Sequence, residues 1–261
     1  MNENSAEIIF VGTSSGQTSA ARNHSSIFIR TNEQNLLVDA GDGIAKALLI
    51  QNINYDEIHS ILFTHYHADH FAGIASLITQ MEILKRKHPL KIFTHINLIS
   101  QLKSLLNSVY MFKESLGFEL RIIGFSFDEK VQVNNKIKFT AKQNSHLRRK
   151  EHHKNYPEDI FVSSSLLLEI DEQKIFYTSD IGSGNDLFLF GNYEIDYLIT
   201  EACHININDI YKFISTKNPG NIFITHYDNE YEAELQSWKN SLKDSEKQRI
   251  TICYDGLSFS I

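Results

Sequence analysis

No stretch constrains this chain as much as Thr64-His65-Tyr66-His67-Ala68-Asp69-His70, where four metal-ligating side chains fall within six residues. Ahead of it, Ser60-Ile61-Leu62-Phe63 is a short apolar run that reads as a buried strand. Behind it, Phe71-Ala72-Gly73-Ile74-Ala75-Ser76-Leu77-Ile78 combines helical spacing with good helix formers. The hexapeptide therefore sits on the turn from a strand's C-terminal end into a helix, where binding sites of layered α/β folds tend to lie. In an extended loop His65 and His67 project to the same side and can chelate one ion, while Asp69 and His70 face a second. Borderline-soft divalent ions such as zinc take imidazole nitrogen and carboxylate oxygen at about 2.0–2.2 Å. The plain alternative is a polar loop that happens to be rich in histidine.

The rest of the chain supplies alternating strands and helices. Glu7-Ile8-Ile9-Phe10-Val11 is a strand closed by Gly12-Thr13-Ser14-Ser15-Gly16, and residues 18–24 form a polar loop. Residues 26–30 and 35–39 read as a hairpin, followed by Ala40-Gly41-Asp42-Gly43 and a helix over 44–52. The helix after the metal loop runs to Lys87, where His88-Pro89 ends it, because a residue before proline is pushed out of the helical region. Residues 91–94 are a strand and 98–110 a helix; 118–123, 130–133 and 136–141 read as strands of a second sheet. A hairpin at 163–177, strands at 196–200 and 221–225, helices at 208–213 and 230–242, and two short closing strands complete the order. This alternation, in two similar halves, points to an α/β (α+β) fold arranged as a four-layer αββα sandwich, one domain over 1–261.

Composition narrows the classes. A chain of 261 residues, 42% hydrophobic, can bury a large core. No apolar run approaches the ~18–20 residues of a membrane span. Met1 to Ser5 lacks the basic and apolar regions of a signal peptide, and Cys203 and Cys253 are too few for a disulfide framework, so a cytoplasmic protein is expected. The net charge of -7 argues against a general polyanion binder, although bound metal ions add positive charge that the formal count omits.

The His65–His70 stretch resembles the HxHxDH signature of the metallo-β-lactamase fold hydrolases. Within that group the opening strand, Gly-Thr turn, Arg22-Asn23 loop and hairpin resemble ribonuclease Z, and the likeness runs over most of the chain. The resemblance implies a third histidine after a strand, an aspartate after another and a last histidine after a third. His146, Asp180 and His226 stand in those places, with His152 and His153 competing for the first. It thus implies that His65, His67 and His146 hold one divalent ion and that Asp69, His70 and His226 hold another, Asp180 bridging them. Zinc is the first choice, and manganese or iron suit the same ligands. Asp42 is either the family's acidic turn residue or a helix cap.

The same resemblance implies phosphodiester cleavage. Glu201-Ala202-Cys203-His204 looks like the family's Glu-Ala turn merged with its proton-donating histidine, which would make His204 the general acid, Glu201 its orienter and Asp69 the third catalytic residue. The alternative for His204 is a surface residue ahead of a helix. Arg22, Asn23 and Tyr227 would touch substrate, and a homodimer is implied. Departures exist: Thr18 and Ala20 replace a proline and a lysine, Glu230 stands where an arginine belongs, and no long arm for gripping tRNA fits between His146 and Asp180. A small phosphodiester, either a cyclic nucleotide or a short oligonucleotide, is therefore expected ahead of tRNA 3′ processing, with a lactonase or other carboxylic hydrolase third. The charged run over 147–154 is either a solvated loop or a basic lip over the site.

Overall fold

The computed structural model describes residues 6–261, so the reading of Met1 to Ser5 lies outside the described residues. Strands β1 (Glu7–Gly12), β2 (Ser26–Arg30) and β3 (Asn35–Val38) form an antiparallel meander. Strands β4 (Ile58–Leu62), β5 (Leu90–His95) and β6 (Leu120–Phe125) extend it in parallel. The second sheet repeats the plan: β7 (Lys130–Gln132), β8 (Ile137–Gln143), β9 (Ser164–Ile170) and β10 (Gln173–Tyr177) are antiparallel. Then β11 (Tyr197–Glu201), β12 (Asn221–Thr225) and β13 (Ile250–Ile252) follow in parallel. The closing strand β14 (Ser258–Ser260) returns to pair with β1, completing two seven-stranded sheets.

Side chains alternate across each strand, and that period of two builds three apolar layers. Ile9, Phe28, Leu37 and Ile61 face outward against helices α1 (Ile44–Ile50), α3 (Ile74–Ile83) and α4 (Ile99–Ser108). Between α1 and α3 lies the short α2 (Ala68–Phe71). Ile8, Phe10, Ile27 and Leu36 point the other way and meet Phe139, Leu166, Leu168 and Phe223 of the second sheet. Leu167, Leu198 and Ile222 face out on the far side, covered by α5 (Ile207–Lys217) and α6 (Glu232–Ser241). The result is the four-layer αββα sandwich. Among the described residues no helix is long and apolar enough to cross a membrane.

Several boundaries differ from the sequence reading. The strand expected over 118–123 belongs to the first sheet: it is β6, paired in parallel with β5. Helix α3 stops at Ile83, short of Lys87. Lys85 adopts left-handed backbone (φ 59°), and the Arg86 N–H reaches back to the Met81 carbonyl, a motif that closes a helix without proline. Its purpose is visible in Arg86, buried and donating to the carbonyls of Tyr55, Ile58, His88 and Pro89. Helix α5, expected over 208–213, runs from Ile207 to Lys217 with Asn206 as its cap, and Gly43, not Asp42, precedes α1 without a side-chain cap.

Candidate metal centre

Strands β3, β4, β8, β10, β11 and β12 all deliver chemistry to one rim at their C-terminal ends. His65, His67, His146 and Asp180 bring one ligand atom each within 4.8 Å of one another, and Asp69, His70, Asp180 and His226 do the same beside them. The structure thus gathers the seven residues singled out in sequence, with Asp180 in both groups. Its two oxygens divide the work. Oδ2 lies 3.6 Å from His146 Nε2 and 3.8 Å from His65 Nε2, whereas Oδ1 lies 3.1 Å from both His70 Nε2 and His226 Nε2. Asp69 Oδ2 completes the second group at 3.6 Å from His70 Nε2 and 3.7 Å from His226 Nε2.

His65 Nε2, His70 Nε2, His226 Nε2 and Asp180 Oδ1 are buried without any hydrogen-bond partner. Unpaired buried polar atoms each cost about 1–3 kcal/mol, and native proteins pair the great majority. Four of them aimed into two shared points fit cations that would satisfy all at once, and the imidazole-carboxylate set is one that divalent zinc-like ions take. The electrostatics agree. Burial pushes His65 well down and His146 down to about 4, leaving neutral rings with lone pairs to offer. Burial disfavours charge on His70, yet Asp180 and Asp39 outweigh it and hold that ring well above its ordinary pKa. The fold thus concentrates negative charge where His70 and His226 meet.

Asp39 is the functional residue that sequence reading missed. At the end of β3, in left-handed backbone (φ 60°), its buried carboxylate accepts from Thr64 N at 2.8 Å and Thr64 Oγ1 at 2.8 Å. Its Oδ2 also lies 2.8 Å from His70 Nδ1, which fixes that ring so that Nε2 faces the second group. Ser179, also left-handed (φ 52°), donates to Thr64 Oγ1 at 2.9 Å, tying the residue before Asp180 to the residue before His65. The available signal was an aspartate ending the apolar run Leu36-Leu37-Val38, where a carboxylate has no packing role.

His204 stands beside the first group, its Nδ1 3.0 Å from Glu201 Oε2 and 4.0 Å from Asp180 Oδ2. Glu201 is buried and also accepts from the backbone N–H groups of Ile181, Cys203 and His204. The Glu201 hydrogen bond raises His204 to about 9, against the pull of burial, so the ring carries a proton at neutral pH. Burial and the nearby Asp228 push the Cys203 thiol up to about 12, which leaves it a poor nucleophile. A cleft of about 580 Å³ opens next to His204, lined by Cys203, Asn206, Asp228, Glu230, Tyr231 and Glu234.

Arg22, Asn23 and Tyr227 are placed differently from the expectation of substrate contacts. The Arg22 guanidinium stacks 4.0 Å over the Tyr227 ring and donates to the Tyr227 carbonyl, the Thr13 carbonyl and Asn229 Oδ1. The Tyr227 hydroxyl donates to the Cys253 carbonyl at 2.7 Å, and Asn23 donates through N and Nδ2 to Asp255. Arg22 and Tyr227 are buried and brace the loop after His226, while Asn23 ties its own loop to Asp255. Of the histidines competing for the third place, His146 is in the first group. His152 and His153 lie apart in a short turn (Glu151–His153), where His153 stacks on Phe161 at 5.2 Å.

Comparison with known proteins gives a family and a fold. The family described as Anti-Pycsar protein Apyc1 matches residues 6–246. The ribonuclease Z of Pyrococcus abyssi is 38% identical over 104 residues, 40% of this chain and 34% of that enzyme. The match thus spans about a third of the length of that relative, and less of this chain than the sequence resemblance implied. Among solved structures, the metallo-beta-lactamase fold protein YhfI from Bacillus subtilis superposes with a TM-score of 0.76 at 17% identity, covering 98% of this chain and 99% of that one. The short form of human tRNase Z does so at 0.71 and 17%, covering 97% and 98%. The fold is the metallo-β-lactamase fold.

Proposed function

The chain belongs to the Anti-Pycsar protein Apyc1 family, and from that premise we propose that it is a dinuclear metal-dependent phosphodiesterase acting on a small phosphodiester, a cyclic nucleotide or a short oligonucleotide. The observation that carries the reading is Asp180, whose two oxygens face two separate ligand groups, with His204 beside them. His65, His67, His146 and Asp180 would hold one ion, and Asp69, His70, Asp180 and His226 the other. Zinc suits this set best, with manganese or iron as substitutes. Such ions supply Lewis acidity toward the phosphoryl oxygens and lower the pKa of water at the site.

The chain's own residues do the rest. Asp69, whose side chain is 12% exposed against 2% for Asp180, is the ligand carboxylate able to take the proton of the attacking water. Glu201 holds His204 by Nδ1, so Nε2 is the nitrogen left for the leaving oxygen. As the P–O bond breaks, its electron pair goes to that oxygen and His204 Nε2 hands it a proton. The carboxylates of Asp228, Glu230 and Glu234 line the neighbouring cleft, which disfavours a second phosphate there and so favours a short substrate over a polynucleotide. The ribonuclease Z match supports a second reading, tRNA 3′ processing, whose mark is tight pre-tRNA binding that weakens steeply with salt.

His204→Ala tests the reading. The variant should keep both ions, and its turnover on a cyclic nucleotide should fall by roughly 10²–10⁴, the usual contribution of a positioned acid. Bis(p-nitrophenyl) phosphate, whose leaving group departs without help, should be cleaved almost as fast as by the wild type. An equal loss on both substrates would sink the acid role, and a metal-loaded wild type inert toward every phosphodiester would sink the function.

A further inference from the structure

Asp186 lies in the short helical turn Gly184–Phe188, outside both ligand groups, and it is buried. One of its oxygens, Oδ2, collects four donors: Ser145 N at 3.1 Å, Ser145 Oγ at 2.6 Å, Gly182 N at 3.0 Å and Ser183 N at 3.2 Å. Two of these belong to the residue before His146, and two to the residues that follow Asp180 by two and three positions. We infer that Asp186 is a positioning residue that clamps the His146 loop to the Asp180 loop and thereby sets the first ion's coordination; this rests on the two-ion reading above.

Capping of its own turn accounts for the bonds from Gly182 and Ser183 only. The pair from Ser145 comes from 41 residues away in sequence and does nothing for the turn. The contact is also close: a Cβ on Gly182 would collide with the Ser145 carbonyl, so glycine is what lets the two loops lie against each other. On its other side the His146 loop is held by Asn144. Asn144 accepts from His146 N at 3.1 Å and donates to Ser165 Oγ at 3.1 Å, and Ser165 in turn donates to the Thr178 carbonyl. Asn144 therefore seats the loop on the second sheet, and Asp186 sets its distance from Asp180. That distance, 3.6 Å from His146 Nε2 to Asp180 Oδ2, is part of the first group alone. The second group shares Asp180 but has a hold of its own on His70, the Asp39 carboxylate, which the clamp does not touch.

The test is a chelator competition titration of the full chain, following the two ions separately, with circular dichroism as the check on folding. Asp186→Ala should weaken the first ion by about 10–100-fold, the usual effect of losing an outer partner of a ligand, and leave the second unchanged. In manganese-loaded protein the electron paramagnetic resonance of a coupled pair should give way to that of a single ion. Ser145→Ala, which removes one donor and keeps the turn, should weaken the first ion by a smaller factor and carries the test if Asp186→Ala does not fold. Asp186→Asn, which keeps an acceptor oxygen, should recover part of the loss. Unchanged affinity for the first ion in Asp186→Ala and Ser145→Ala, or equal weakening of both ions, would overturn the inference while leaving the function intact. A wild type that takes up no pair of ions would overturn the function itself and the clamp with it.

Discussion

The two ligand groups share Asp180 but are made of different material. In the second, His70 and His226 have side chains 0% and 2% exposed, and His70 is locked by the buried Asp39 at the end of a core strand. In the first, His67 is exposed and His146 rides on a loop held from outside by Asn144 and Asp186. The second half leans on the core, whereas the first, the buried His65 apart, leans on contacts between loops. A metal pair built this way should show unequal affinity, with the second position filling first and the first position exchanging more readily. An open first position also faces His204 and the cleft, where a substrate must enter.

Asp180→Ala is the harshest test, because it removes the oxygens that face both groups. Elemental analysis should find both ions gone together; a variant that keeps two ions would break the shared-bridge description. Asp39→Asn sharpens the contrast. It leaves every ligand in place and disturbs the ring of His70 directly but His65 only through Thr64, so the second ion should weaken by about 10–100-fold and the first by less. Competition titration checks this, and selective loss of the first ion would reverse the comparison drawn here.

How much of this was legible in the sequence follows the same division. His65, His67, Asp69 and His70 stand together on a strand-to-helix turn, which local pattern exposes, whereas His146, Asp180 and His226 each follow a segment that folds as a strand and were singled out there by family resemblance. The αββα layering was legible for the same reason: alternation of burial is a local property. Asp39 and Asp186 were not, because their worth lies in partners 31 and 41 residues away, which no local spacing reveals. The strand β6 went to the wrong sheet because periodicity says that a segment is a strand and says nothing of its neighbour. Arg22 and Tyr227 were given a substrate role by resemblance, whereas here the guanidinium and ring satisfy each other and the backbone. Asp42 likewise caps nothing; the turn it sits in is held by its backbone N–H on the Ala68 carbonyl.

The smallest expected effect concerns His152 and His153. If the first group is completed by His146, replacing both of these with alanine should change neither metal content nor the affinity of either ion. The structure gives the reason. His153 spends its ring on Phe161 and on the turn that begins at Lys150, whose N–H reaches its Nδ1 at 3.3 Å, and the carbonyl of His153 accepts from Arg149. His152 is exposed and packs edge-on against His153 at 4.0 Å. Surface substitutions of this kind usually shift stability within about 0.5 kcal/mol. The double variant thus separates a histidine brought to the site by a strand end from histidines that merely follow it in sequence. Loss of the first ion in that variant would mean that the 147–154 loop supplies the third ligand, and the first group would then have to be redrawn without His146.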